Sequence, residues 1–143
     1  MGIKIFIIRL LVAMVAGLLI GLERQIHHKS AGTRTNALVS MGSAVFVMIS
    51  LQITEDRGGD ATRIIGQIVT GIGFLGAGVI LHQGINVQGL TTAATIWCSS
   101  GIGCLSAAGY YAEVAVCVVA VILVNVLFRW LDDKIKKPDS HEV

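Results

Sequence analysis

Five apolar stretches, at residues 4–22, 36–53, 63–81, 90–108 and 112–131, alternate with brief polar interruptions. Each is long enough to cross a bilayer, which takes about 20 residues at a helical rise of about 1.5 Å. Their short connections make consecutive helices antiparallel neighbours. Within the stretches the small and polar positions recur at helical spacing, so each predicted helix has a definable face. The first places Arg9, Ala13, Gly17 and Gly21 one turn apart. The second aligns Asn36, Ser40, Ser43 and Ser50; the third, Arg63, Gln67, Thr70 and Gly71; the fourth, Thr92, Thr95, Ser99, Gly103 and Ser106. The fifth is aliphatic all round from Val114 to Leu127 except at Asn125, a pattern that suits a helix surrounded by lipid. The expected fold is all-α: a polytopic membrane protein of about five transmembrane helices, with helices 1–4 packed through small residues and helix 5 peripheral.

The densest run of small residues lies between Asp60 and Tyr110. It contains Gly71, Gly73, Gly76 and Gly78 on the third segment, then Gly89 and Trp97 at the start and middle of the fourth. Such a run would make a poor helix in water, where each glycine costs about 1 kcal/mol against alanine. In lipid, backbone groups must be satisfied within their own segment, and small side chains let helices approach closely. The third and fourth segments are therefore predicted to form the packed heart of the domain, with Trp97 in its core.

Composition agrees with this picture. Hydrophobic residues make up 54% of the 143, charged residues 14%, and mean hydropathy is +0.76. Soluble domains carry about 25% charged residues. A net charge of +2, without basic patches interleaved with aromatics, gives no sign of nucleic-acid binding. Cys98, Cys104 and Cys117 all fall in apolar stretches, which argues against a disulfide framework. The first apolar run lacks a small-residue cleavage site and reads as an uncleaved span. Residues 1–131 are expected to form the membrane domain and 132–143 a short polar tail, which holds the only proline, Pro138.

Positive charge sets the expected orientation. Arg24, Lys29 and Arg34 follow the first span, and Arg129, Lys134, Lys136 and Lys137 follow the fifth, whereas Lys4, Arg57 and Arg63 lie on the opposite side. The N-terminus is predicted outside and the C-terminus in the cytoplasm. A reporter fused to the C-terminus should be active only inside the cell, and activity confined to the outside would reverse the assignment.

Candidate chemistry is sparse. Gly71-x-Gly73-x-x-Gly76 matches a dinucleotide-binding fingerprint as a string, but that motif needs a preceding strand and a later acidic residue. Here a spanning helix precedes it and Leu90-Thr91-Thr92 stands at the later position. His27, His28 and His82 lack a recurring ligand spacing, so no metal site is expected. Arg9 reads as an interfacial anchor, as does Trp130. Asp60 is placed to cap the first turn of helix 3, on the outer-side polar face it shares with Arg63, Gln67 and Thr70. One cluster stands out on the side facing the cytoplasm. Glu23 and Arg24 end helix 1, Arg34, Thr35 and Asn36 begin helix 2, and Thr91 and Thr92 begin helix 4. Glu23 would pair with an arginine, and the start of helix 4 would offer N–H groups and hydroxyls to an anion or a carbonyl. Read as structure alone, the same residues are helix caps and headgroup anchors. There is no paired carboxylate, Ser-His-Asp set or metalloprotease spacing, so the chain does not read as an enzyme.

In order along the chain, Gly17-Leu-Leu-Ile-Gly-Leu-Glu-Arg24, Arg34-Thr-Asn-Ala-Leu-Val-Ser-Met-Gly42, Arg63 through Gly78, and Gly89-Leu-Thr-Thr-Ala-Ala-Thr-Ile-Trp97 resemble the motif series of MgtC/SapB proteins. The similarity covers about residues 5–130. Ala61 stands where that family often has proline, and Gln88 where it often has a basic residue. The resemblance implies a bacterial inner-membrane protein without a cofactor, whose relatives are linked to growth in scarce magnesium and to survival inside macrophages. It implies action by restraining other membrane machines, notably the proton-driven ATP synthase. A chain ending in a polar tail at Val143 resembles the SapB-type members, which lack a soluble C-terminal domain. Self-association is expected through the small-residue faces. The alternative is a small oligomeric ion transporter or channel lined by Arg63, Gln67, Thr70, Thr92, Thr95 and Ser99.

Overall fold

A computed structural model describes residues 1–83 and 86–135, the side chains of His82, Gln83, Asn86, Asp132, Asp133 and Ile135 excepted. The expected tail roles of Lys136, Lys137 and Pro138, and any role of the His82 imidazole, lie outside the described residues. Five helices are found there: α1 (Ile3–Ile26), α2 (Thr33–Arg57), α3 (Thr62–Val79), α4 (Leu90–Ala108) and α5 (Tyr111–Ile135). Four of them, α1, α2, α3 and α5, are long and apolar enough to cross a membrane. The fourth segment, α4, has 19 residues, but its hydroxyls dilute its hydropathy. It crosses the bundle because its neighbours shield and bond those hydroxyls.

The seam between α1, α2 and α4 is set by glycine. A Cβ at Gly17 would stand 2.5 Å from the Asn36 carbonyl oxygen, and one at Gly21 2.5 Å from Thr33 Cα. At Gly103 an added Cβ would overlap the carbonyl of Ser40. The three helices thus meet backbone to backbone, as the Gly17-x-x-x-Gly21 stripe predicts. Around these contacts the core is built from small side chains, with Ala13, Ala44 and Ala107 fully buried beside Val47 and Met48.

Close approach brings the polar faces into bonding range. Asn36, fully buried, donates from Nδ2 to the carbonyls of Ala31 (2.6 Å) and Gly32 (3.0 Å) and accepts from Ser99 Oγ at 2.8 Å. It therefore ties the α1–α2 loop and α2 to α4. Ser43 and Ser100 pair at 2.8 Å, and Ser106 Oγ donates to the Arg9 carbonyl at 2.7 Å. Inter-helical bonds of this kind average about 0.6 kcal/mol each in a membrane, so they fix register more than they add stability. Helix α5 lies at the edge as expected, burying Val114 and Val118 against α1 and α4. Its Asn125 shares a 3.4 Å contact with Thr95 of α4.

Helix α3 departs from expectation. It is not part of a packed heart with α4, because none of its residues is buried. Only Gly76 of its glycine series meets a neighbour, with Ala93 Cβ 3.6 Å from an added methyl, while Gly66, Gly71, Gly73 and Gly78 have open space. Its half-buried positions, Ile64, Ile68, Ile72, Gly76 and Val79, make one face that leans on α4 and, near its start, on α2. Small residues mark where a helix can be approached closely, but not which chain supplies the approaching helix. Trp97 is also corrected: it is 55% exposed and lines an apolar cavity of about 580 Å³ between α3, α4 and α5. Its indole lies on the side of α4 away from the seam with α1 and α2, to which α4 contributes Thr92, Ser99, Gly103 and Ser106.

The connection between α3 and α4 is not a plain loop. Helix α3 stops at Val79, and two short antiparallel strands follow, β1 (Leu81–Gln83) and β2 (Asn86–Gln88), pairing Leu81 with Gln88 and His82 with Val87. Gly89 then turns into α4 with φ 92°, and a Cβ there would overlap the Val79 carbonyl. Only glycine satisfies both constraints.

Candidate functional site

The end of the bundle that carries the α1–α2 loop, the hairpin and the start of α4 gathers most of the buried charge. Glu23 is 7% exposed and Arg24 4%. Both sit on the last turns of α1, where the helix runs on past Gly21 between α2 and α5. Arg24 Nη2 donates to Thr92 Oγ1 at 2.7 Å, joining the end of α1 to the start of α4. Glu23 does pair with an arginine, but that arginine comes from α5: Arg129 Nη1 is 3.6 Å from Glu23 Oε1. His27 Nδ1 lies 3.0 Å from the same oxygen and 2.8 Å from the Glu23 carbonyl. Two acceptors facing one ring nitrogen place the imidazole proton on Nδ1. Among the described residues, neither carboxylate oxygen nevertheless receives a well-directed hydrogen bond, and Arg24 Nε is also buried without an acceptor.

Of the residues expected in this cluster, the structure brings together Glu23, Arg24, Asn36 and Thr92 at one end of the bundle. Asn36 is one layer deeper and serves as a helix latch. Arg34 and Thr35 point outward and are exposed, and so is Thr91, whose carbonyl accepts from Thr95. The sequence reading missed Arg129 and His27. Arg129 was visible only as a tail cation, because nothing in an aliphatic helix announces which loop its last turn will meet. His27 was signalled by its i, i+4 spacing from Glu23.

Between α1, the hairpin, the start of α4 and the end of α5 lies a cavity of about 470 Å³. Its charged walls are Arg24, Lys29 and Arg129, and its floor is the first turn of α4 at Gly89, Leu90, Thr91 and Thr92. Its leading N–H groups have no intrahelical acceptors, and no side chain among the described residues caps them.

At the opposite end Asp60 accepts from the Thr62 hydroxyl (2.6 Å) and the Thr62 backbone N–H (2.9 Å). These bonds, the hydroxyl's foremost, hold its carboxyl below the usual carboxylate range. Arg63, Gln67 and Thr70 stay exposed along α3, with Thr70 Oγ1 turned back to the Gly66 carbonyl at 3.0 Å. Thr92, Thr95 and Ser99 are instead buried and bonded to Arg24, Asn125 and Asn36. The six residues expected to line an ion pathway therefore do not share a surface. Arg9 lies over the α4–α5 turn, its Nη2 3.4 Å from where a Cβ on Gly109 would stand, and its Nη1 3.6 Å from Met1 Sδ. Trp130 is 56% exposed with Lys134 Nζ 3.9 Å over its ring, a placement suited to an interface.

The MgtC family model matches residues 10–134. The chain is 50% identical over 124 residues to Protein MgtC of Salmonella typhimurium (strain LT2), an alignment covering 87% of this chain and 52% of that protein. It is 51% identical over 117 residues to Protein MgtC of Brucella abortus (strain 2308), covering 82% and 48%. It thus spans about half the length of the curated relatives it matches. No solved structure matches. The family model's match takes in the glycine seam, the Glu23–Arg24 turn and the start of α4 alike, and on it and the two relatives the chain belongs to the MgtC family.

Proposed function

We propose that this protein is a non-enzymatic regulator of the bacterial inner membrane. In this reading it binds a transmembrane helix of a larger complex that moves ions or protons and restrains it, as part of adaptation to scarce magnesium. The family membership and the resemblance noted above point to the proton-driven ATP synthase as the complex to test first, and the same membership makes a part in intracellular survival a further proposal. The reading places the N-terminus outside and the C-terminus in the cytoplasm, supported by Arg24, Lys29, Arg34, Arg129 and Lys134 at one end of the bundle.

The observation that carries the reading is the outward face of α3. Arg63, Gly66, Thr70, Gly73 and Ala77 are all exposed and succeed one another at i+3 and i+4, which makes one stripe along the helix. The stripe lies opposite the half-buried face formed by Ile64, Ile68, Ile72 and Gly76. Within the chain, then, α3 turns isoleucine inward and its small residues outward, the reverse of what a helix serving only its own bundle needs. A partner helix could approach this face as closely as α2 approaches α1 at Gly17.

Gly73→Ile tests the reading, since a side chain there meets nothing in the isolated chain. Its melting temperature in detergent should match the wild type. Co-purification of the partner complex from native membranes should fall at least about tenfold, the loss expected when a close helix contact worth about 1.4 kcal/mol is opened. Undiminished co-purification and cellular activity in Gly73→Ile and Gly66→Ile would exclude this face, and ion flux through vesicles holding the protein alone would favour a transporter.

A further inference from the structure

We propose that the cavity between the end of α1, the hairpin and the start of α4 is a binding site for a phosphoryl group, carried by a lipid headgroup or by free phosphate. Docking through α3 is a separate matter and does not depend on it.

The argument begins with an electrostatic conflict. The first turn of α4 is the positive pole of its helix, with N–H groups that have neither intrahelical nor side-chain acceptors. Carboxylates are the groups that ordinarily stabilise such a pole. Here every charged side chain that lines the cavity among the described residues is a cation: Arg24, Lys29 and Arg129. Glu23 offsets part of the charge on Arg129 but does not line the cavity. Three cations around a helix N-terminus repel one another and the pole, and an anion in their midst removes the conflict.

Arg24 supplies an independent observation. Its side chain is 96% buried, being 4% exposed, and it lines the cavity. A guanidinium has five N–H donors, of which one reaches an acceptor among the described residues, Thr92 Oγ1. Its Nε is buried and meets no acceptor among them. A planar fork of unused donors beside free backbone N–H groups matches the tetrahedral oxygens of a phosphoryl group, which arginine binds through paired hydrogen bonds. The cavity, at about 470 Å³, has room for a headgroup, and Val124 and Phe128 give it an apolar wall. The left-handed turn at Gly89 holds the pole of α4 at its floor.

The experiment uses the full chain purified in neutral detergent. One arm titrates inorganic phosphate by calorimetry. The other incorporates the protein into nanodiscs of phosphatidylcholine with or without phosphatidylglycerol and counts retained anionic lipid by native mass spectrometry. Saturable phosphate binding, weakened about tenfold in Arg24→Gln as expected for one lost charge-assisted hydrogen bond, identifies free phosphate. Retained phosphatidylglycerol that is lost in Arg24→Gln, with no phosphate heat, identifies the headgroup. Lys29→Gln guards against misfolding, because Lys29 is exposed and its replacement removes one cation without opening the core. It should weaken the same ligand several-fold and make the loss in high salt shallower, because less attraction is left to screen. If neither ligand binds the wild type, or if both variants bind as the wild type does, the site is not an anion site.

Discussion

Gly103→Ala is expected to destabilise the protein by about 2–4 kcal/mol, while Gly73→Ala leaves its stability nearly unchanged. The two positions look alike in the sequence, each a glycine in an apolar segment. Their surroundings differ. At Gly103 the added methyl would occupy the space of the Ser40 carbonyl, part of the α2 backbone, which has no rotamer by which to yield. The helices must separate, and separation opens the neighbouring Ser43–Ser100 and Ser99–Asn36 bonds as well. Overpacking of this kind costs about 1–3 kcal/mol, and the two bonds add about 0.6 kcal/mol each. Gly17→Ala should behave similarly, since its Cβ would stand 2.5 Å from the Asn36 oxygen and 2.7 Å from Ala37 Cα. At Gly73 nothing lies within 4 Å, so its change should stay within about 0.5 kcal/mol. Thermal melting of the three variants in one detergent is the measurement. A Gly103→Ala protein that melts with the wild type would show that α2 and α4 do not meet at their backbones.

That contrast also marks what the sequence could reveal. The Gly17-x-x-x-Gly21 stripe and the hydroxyls of α2 and α4 were legible because their partners lie within the chain and share its periodicity. Asn36, Ser43, Ser99 and Ser106 fall on the predicted faces, and the structure bonds each to a neighbouring helix or loop. For α3 the same signal misled. Glycine content reports the closeness a helix permits, and only Gly76 uses that closeness inside this fold. Reading the exposure pattern would have required knowing which face α4 takes, and that is decided by the isoleucines rather than the glycines. The hairpin was missed because three-residue strands are too short to show alternation. At the candidate site, Glu23, Arg24 and Thr92 were legible from their shared depth. Arg34 and Thr35 were misplaced into it because depth fixes distance from the membrane surface but not rotation about the helix axis.

Glu23→Ala should destabilise the protein by about 1–3 kcal/mol, the upper figures for a buried pair being discounted for the partial exposure of Arg129. Glu23 is 7% exposed and Arg129 26%, so removing the carboxylate leaves a largely desolvated guanidinium near the positive pole of α4, with Arg24 buried one residue away. Most of the loss is the stranded cation rather than the value of the pair. The double variant Glu23→Ala/Arg129→Ala should therefore recover part of the stability, giving a coupling energy of about 1 kcal/mol in a double-mutant cycle. Arg34→Ala, at an exposed position, should stay within about 0.5 kcal/mol, although Arg34 is the nearest arginine to Glu23 along the chain after Arg24. Additive losses in the cycle, or coupling of Glu23 to Arg34 in place of Arg129, would mean that α5 does not close this end of the bundle. Positive coupling to Arg129 would mean that the helix most like a lipid-facing span is tied to the charged end by one carboxylate. The only acid in contact with this cluster among the described residues then sets how much positive charge the cavity keeps.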